Sequence, residues 1–123
     1  MKIGEVMKSV KTIDVNLSLA KASEIMNSEN IGSLVIVKGK KIKGLITHKD
    51  IVKNFGKNVK VSEIMTTEII SISSEENVNE AIELMKGKKI SVLPVIDSGG
   101  LVGIISTDDI AVNACEGEDF LID

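Results

Sequence analysis

Aromatic side chains are almost missing from this chain of 123 residues, which has no tryptophan, no tyrosine and two phenylalanines, Phe55 and Phe120. The platforms on which single-stranded nucleic acids stack are therefore lacking. Arginine is absent too, since all 15 basic residues are lysines. Any anion site must work without the planar fork that grips a carboxylate or phosphate by two bonds, and relies on lysines, backbone amides and hydroxyls. The single Cys115 excludes an internal disulfide. With one histidine, His48, the chain is far short of the roughly four N or S ligands of a zinc site. The acids show no EF-hand spacing, so no metal is expected. No apolar run approaches the roughly 18 residues of a membrane helix, and Leu34-Val35-Ile36-Val37 is broken at once by Lys38. The first residues, Met1-Lys2-Ile3-Gly4-Glu5, lack the apolar core of a signal peptide. The expectation is a cytoplasmic protein with no membrane association.

What is present supports a packed core: 43% of residues are hydrophobic and the mean hydropathy is +0.21. The length suits one ordinary domain or two very small ones. Fifteen basic against 18 acidic residues leave a formal charge of −3, a balance that argues against non-specific nucleic-acid binding.

The chain repeats itself. Gly44-Leu45-Ile46-Thr47-His48-Lys49-Asp50-Ile51 recurs 59 positions on as Gly103-Ile104-Ile105-Ser106-Thr107-Asp108-Asp109-Ile110. At the same offset Ile31 to Val37 faces Ile90 to Ile96, Ala22 to Met26 faces Ala81 to Met85, and Thr12-Ile13 faces Ser71-Ile72. Glu5-Val6-Met7 faces Glu63-Ile64-Met65 at an offset of 58. Each copy reads as a short β-rich strand (Lys11 to Val15, and Ile69 to Ile72), then an amphipathic helix from the periodicity of Leu19, Ala22, Ile25 and Met26 or Val78, Ala81, Leu84 and Met85. Two strands follow, Ser33 to Val37 with Ile42 to Thr47 and Val92 to Ile96 with Leu101 to Ser106, each pair joined as a hairpin. A last helix covers His48 to Asn54 or Thr107 to Ala114. The expected fold is mixed α/β (α+β), two β-α-β-β-α repeats packed sheet to sheet with pseudo-two-fold symmetry, because near-continuous apolar strands are covered on both faces. The expected boundaries are 1–57, including the start of a polar linker at 53–60, and 58–123, ending in the acidic tail Glu116-Gly117-Glu118-Asp119.

Each repeat places a hydroxyl and a carboxylate one turn apart where a strand enters a helix: Thr47 with Asp50, and Ser106 with Asp109. Two readings stand. The pair resembles a capping box with Asp in place of Glu, or the helix start and hydroxyl meet a phosphate while the carboxylate accepts from the vicinal hydroxyls of a ribose.

These residues, with the Val6-Met7 and Ile64-Met65 starts and the Leu93-Pro94-Val95-Ile96-Asp97 strand, resemble the paired cystathionine-β-synthase (CBS) domains, or Bateman modules, over essentially the whole chain. The resemblance implies a regulatory module, not an enzyme. Such a module binds AMP, ADP, ATP, S-adenosyl compounds or NAD-type molecules in clefts between repeats, requires no cofactor, forms a homodimer, and passes its state to a separately encoded enzyme or transporter. It puts Asp50 and Asp109 on ribose hydroxyls, and Thr47, His48, Lys49, Ser106 and Thr107 on phosphates. Thr12, Ile13, Ile31, Gly32 and Ser33 accompany Asp109 at one adenine, and Ser71, Ile72, Ile90, Ser91 and Val92 accompany Asp50 at the other. His48-Lys49 favours phosphates at the Asp50 site, whereas Asp108 opposes them at the Asp109 site, which should better tolerate adenosine or a cationic S-adenosyl ligand.

Other features read more plainly. His48 has no motif placing a nucleophile beside it and is a surface histidine, while Cys115 is a buried, inert thiol. The lysines of Lys38-Gly39-Lys40-Lys41 and Lys86-Gly87-Lys88-Lys89 are solvated turns. Phe120-Leu121-Ile122 either docks on a partner or packs back on its own domain. Two alternatives to ligand sensing are a scaffold module with empty clefts, and nucleic-acid binding through lysine turns, which the net charge disfavours.

Overall fold

The computed structural model describes residues 1–115; the acidic tail, Phe120-Leu121-Ile122 and the Cys115 side chain lie outside the described residues. The fold is mixed α+β, with two sheets and four helices among the described residues. The chain forms two compact units. A central unit is continuous, Lys11–Ile69, and a split unit joins Met1–Val10 to the chain from Ile70 onward.

In the central unit, strand β1 (Thr12–Asp14) leads into helix α1 (Leu19–Glu29), and strands β2 (Ser33–Lys38) and β3 (Lys41–Thr47) run into helix α2 (His48–Lys53). The sheet order is β1-β2-β3, with β1 parallel to β2 and β2 antiparallel to β3. Helix α1 starts where the Ser18 hydroxyl accepts the Lys21 amide, and ends where Asn30 turns left-handed at φ 53°. Its buried residues, Leu19, Ala22 and Met26, fall on one face at helical spacing and join Ile13, Leu34, Ile36, Ile46 and Val61 in the core.

The split unit repeats the plan with helix α3 (Val78–Lys88), strands β4 (Val92–Asp97) and β5 (Gly100–Ser106), and helix α4 (Thr107–Cys115). Its core gathers Ile3, Val6, Ile72, Ala81, Met85, Leu93, Val95 and Ile105. The hairpin irregularity falls at equivalent places, between Ile36 and Val37 and between Val95 and Ile96. The β2–β3 and β4–β5 hairpins and the helices α2 and α4 agree with the sequence expectation to within a residue, while α1 and α3 start as expected and run three residues past Met26 and Met85.

The compact units are assembled across the sequence repeats. Residues 1–10 belong with the second repeat because Ile3 and Val6 are buried in its core. Lys8 exchanges two main-chain hydrogen bonds with Ile104 of β5, at 2.8 and 2.9 Å. Beyond the linker, Val61 enters the central core and Thr66 exchanges two bonds with Leu45 of β3, at 2.9 and 3.0 Å. These approaches explain the glycine that opens each signature motif. A Cβ on Gly103 would lie 2.9 Å from the Lys8 carbonyl oxygen, and one on Gly44 would lie 2.9 Å from that of Thr66.

The strand expected at Ile69 to Ile72 is reduced to a single parallel bridge, Ile72 with Val95. Two chemical causes are visible. In the central unit the Val35 amide donates to Lys11 and the Val15 amide donates to Val37. The counterpart of Val35 is Pro94, which has no amide hydrogen. The counterpart of Val15 is Ser74, whose amide donates instead to Asp97 Oδ1 at 2.9 Å. Asp97 also accepts from the Ser74 hydroxyl at 2.6 Å and the Ser73 hydroxyl at 3.0 Å.

The Ser74 hydroxyl, then its amide, and the Ser73 hydroxyl hold the Asp97 carboxyl below its ordinary value. They favour the ionised form, so their stabilisation is fully present above the ordinary carboxylate value of about 3.9 and fades as the pH falls through the lower folded-state value. Asp97→Asn should therefore lower the melting temperature at neutral pH, and the gap to the wild type should close as the pH falls through the lowered folded-state value; an equal gap throughout would remove the ionised carboxylate as its source. Gly44→Ala and Gly103→Ala should each destabilise by about 1–3 kcal/mol in urea unfolding, as forced overpacking does. Gly87→Ala, in α3 with open space around it, should instead stabilise by about 0.5–1 kcal/mol. Glycine variants at 44 and 103 that melt like the wild type would contradict the close approach.

Candidate functional site

Both signature motifs lie where the second strand of a hairpin runs directly into a helix, β3 into α2 and β5 into α4. Thr47 caps α2 in an extended conformation, which leaves the first amides of the helix without internal partners. Asp50 turns back, its Oδ2 accepting the Thr47 amide at 3.0 Å, with the Thr47 hydroxyl at 3.5 Å. Asp50 is half-buried, and among the described residues no hydrogen bond or ion pair reaches its Oδ1.

The second motif is more tightly bound. Asp109 Oδ2 accepts the Ser106 amide at 2.9 Å and the Ser106 hydroxyl at 3.0 Å, and the Ser106 oxygen accepts the Asp109 amide at 3.2 Å. This is a reciprocal capping box. Oδ1 pairs with Lys8 Nζ at 3.0 Å; Asp109 is 4% exposed and Lys8 72%. The capping reading is thus realised by the very carboxylates that the resemblance puts on ribose, fully at Asp109 and one-sidedly at Asp50.

Several contributors were not singled out from sequence. Asn54 Nδ2 donates to the Asp50 carbonyl at 2.8 Å, and Asn113 Nδ2 to the Asp109 carbonyl at 2.7 Å, so each holds the turn that carries the carboxylate. Their signal was available, since both asparagines stand four positions past the aspartate in each copy. Lys8 was also visible as the departure from Thr66 at the offset of 58, though only the pairing of residues 1–10 with β5 gives it a meaning.

The other site residues divide by unit. Ser33 pairs with Thr47 across β2 and β3. The Gly32 carbonyl accepts the His48 amide at 3.3 Å, and the exposed His48 ring lies against Gly32. Lys49 and Thr12 are exposed, whereas Ile13 is a core residue and Ile31 packs against that core. In the split unit Val92 pairs with Ser106, and the Ser91 carbonyl accepts the Thr107 amide at 2.9 Å. Ser71 and Thr107 are exposed, Ile72 is in the core, and Ile90 packs on it. Ile13 and Ile72 can therefore offer a ligand main-chain atoms but not side chains. The five strand residues assigned to the adenine beside Asp109 belong to the central unit, and the five assigned to Asp50 belong to the split unit.

Chemically, each unit offers a fixed carboxylate, a hydroxyl and helix-start amides, which suits a polyhydroxyl or anionic ligand. Nothing among the described residues assembles a nucleophile with a base, and no three His, Cys, Asp or Glu side chains there converge to hold a metal. No described helix is long and apolar enough to cross a membrane.

The model of the CBS domain matches residues 3–57 and again 61–114. The CBS domain-containing protein YhcV of Bacillus subtilis is 32% identical over 114 residues, covering 89% of this chain and 81% of YhcV. The inosine-5′-monophosphate dehydrogenase of Thermoplasma acidophilum is 33% identical over 106 residues, which cover 85% of this chain but 22% of the dehydrogenase. Among solved structures, the CBS domain pair of protein MJ0100, in complex with 5′-methylthioadenosine and S-adenosyl-L-methionine, superposes with a TM-score of 0.85 at 31% identity. The superposition covers 93% of this chain and 99% of that one.

The unequal bonding of the two carboxylates has a measurable consequence without any ligand. Asp50→Ala should cost about 0.5–2 kcal/mol, as a lost cap does. Asp109→Ala should cost about 1 kcal/mol more, because it also unpairs Lys8 and the Ser106 hydroxyl. Chemical denaturation of both variants reads the difference, and equal costs would mean that the second capping box and its lysine add nothing.

Proposed function

The chain belongs to the CBS domain family, and from that premise we propose that it is a regulatory ligand-sensing module, not an enzyme, that binds adenosine-containing small molecules and conveys their presence to a separate partner. The observation that carries this reading is the open Oδ1 of Asp50: one carboxylate oxygen is fixed by Thr47 while the other has no partner among the described residues. A carboxylate so held can accept both hydroxyls of a ribose. Thr47, His48 and Lys49 take the phosphates at this site, and Ser106 and Thr107 do so beside Asp109. Strand residues meet the adenine, Thr12, Gly32, Ser71 and Ser91 through accessible atoms and Ile13, Ile72, Ile31 and Ile90 through main-chain groups; Ser33 and Val92 continue these strands. The adenosine ligands crystallised with the similar MJ0100 pair support this ligand class.

The mechanism is linkage. A ligand that binds one conformation of the chain better raises the population of that conformation, and a partner that prefers it binds more tightly by the same factor. The module works as a homodimer in the cytoplasm, and its partner is an enzyme or transporter. The reading is consistent with enzymes such as the Thermoplasma acidophilum dehydrogenase that share a stretch similar to this chain.

A second reading is favoured by one observation. The carboxylate of Asp109 is already satisfied by Ser106 and Lys8, as expected if the motifs only cap helices in a scaffold. The two readings part in a thermal-shift panel of AMP, ADP, ATP, NAD, S-adenosylmethionine and methylthioadenosine on the wild type, Asp50→Ala and Asp109→Ala. A ligand at about 1 mM with a dissociation constant of about 100 μM should stabilise by about 1.4 kcal/mol, a shift of several degrees. That shift should vanish in the variant whose site holds the ligand. No shift with any of the six favours the scaffold, and sedimentation velocity on the same samples checks the dimer.

A further inference from the structure

We propose that Lys8 sets the ligand class of the Asp109 site, so that this site takes nucleosides bearing a phosphate and discriminates against neutral or cationic adenosine compounds. The inference rests on the reading of Asp109 as a ribose acceptor.

The argument starts from hydrogen-bond capacity. A carboxylate offers about four acceptor positions. At Asp109, Oδ2 receives the amide and the hydroxyl of Ser106, and Oδ1 receives the Lys8 ammonium. A vicinal diol needs two positions, so it must displace Lys8 from Oδ1 or crowd against it. Displacement is costly because Asp109 is 4% exposed: hydroxyls replace the lost hydrogen bond but not the lost positive charge.

The displaced ammonium stays close to the site. Its backbone is tied to Ile104 by hydrogen bonds of 2.8 and 2.9 Å, so its reach is that of one lysine side chain from a fixed point beside the motif. A ligand that brings its own anion gives the displaced ammonium a new partner and keeps the charges balanced. A neutral thioether gives it none, and a sulfonium repels it. From the sequence Asp108 is expected to oppose phosphates at this site, but it is exposed on α4, where solvent screens it, whereas Lys8 Nζ lies 3.0 Å from the buried carboxylate itself.

The central unit provides an internal contrast. Thr66 occupies the place of Lys8, with the same two main-chain bonds, here to Leu45. Asp50 has no cation on it among the described residues, so a diol can bind there without displacing anything. One chain thus carries two carboxylates on equivalent backbones, one open and one guarded by a lysine.

The test isolates the Asp109 site in an Asp50→Ala background and compares AMP with 5′-methylthioadenosine, which share the nucleoside and differ in the charge of the 5′ substituent. Calorimetry should give AMP at least about a ten-fold preference when Lys8 is present, the scale of a charge-assisted hydrogen bond. Lys8→Met and Lys8→Gln should abolish or reverse that preference, and Lys8→Arg should retain it. A ratio of affinities is read on folded protein alone, so a loss of stability in one variant does not mimic the effect. Binding of both ligands with the same ratio in Lys8→Met and in the Asp50→Ala parent would overturn the role of Lys8 while leaving the ribose reading intact. If neither ligand binds in any of these backgrounds, the ribose reading of Asp109 fails, and the role of Lys8 falls with it.

Discussion

Two reciprocal pairs of main-chain hydrogen bonds, Lys8 with Ile104 and Thr66 with Leu45, are the constraint on which the rest of the molecule depends. Each covers the outer edge of a hairpin strand that would otherwise present unpaired amides and carbonyls. Each pairing is preceded by a 3-10 turn, Ile3–Glu5 or Val61–Glu63, whose first residue is fully buried in the core it completes. Each demands a residue without a side chain where the backbones meet, which is why both motifs begin with glycine at 44 and 103. The approach also carries the next side chain, Lys8 or Thr66, to the strand that leads into the helix bearing the carboxylate.

On this shared backbone the two units have diverged in their side-chain chemistry. The turn that follows β2 is lysine-rich, whereas β4 ends in Asp97, whose carboxylate gathers the Ser73 and Ser74 hydroxyls and the Ser74 amide. Pro94 and Asp97 together dissolve the short parallel strand that the central unit keeps as β1. The carboxylates diverge in the same way: Thr47 makes half of a capping box and Ser106 a complete one. A repeat whose backbone is duplicated and whose polar contacts are not is suited to hold two different ligands, or one ligand and one permanent internal contact.

The hairpins and helices were legible because their causes are local. Leu19, Ala22 and Met26 mark one helical face, and Gly39 and Gly100 adopt the positive φ of the two hairpin turns. The carboxylates and their hydroxyl partners were legible for the same reason, as neighbours within one turn. The assignment of residues 1–10 was not, since nothing in Ile3 or Val6 says which of two similar cores will bury them; that choice is made by long-range packing. The loss of the strand before Ile72 lay between these cases. Pro94 announces a missing donor, but the competing acceptor at Asp97 becomes apparent only when Ser74 is seen beside it. Lys8 was the least legible of the polar groups, because its partner lies across a non-local pairing.

The split unit carries a consequence for the order in which the chain acquires its structure. Leu45 and Thr66 are 21 positions apart, whereas Lys8 and Ile104 are 96 apart, with the whole central unit between them. Closing the longer span from a flexible chain costs about 1.3 kcal/mol more in loop entropy. Once Lys11–Ile69 has folded, that span is largely replaced by a rigid body and the penalty shrinks. During synthesis the central unit has all its residues as soon as Ile69 has emerged, while the first ten residues must wait, with Ile3 and Val6 uncovered, for β5 to be made. Residues 1–10 are thus made before either core is complete and are among the last of this stretch to find their place.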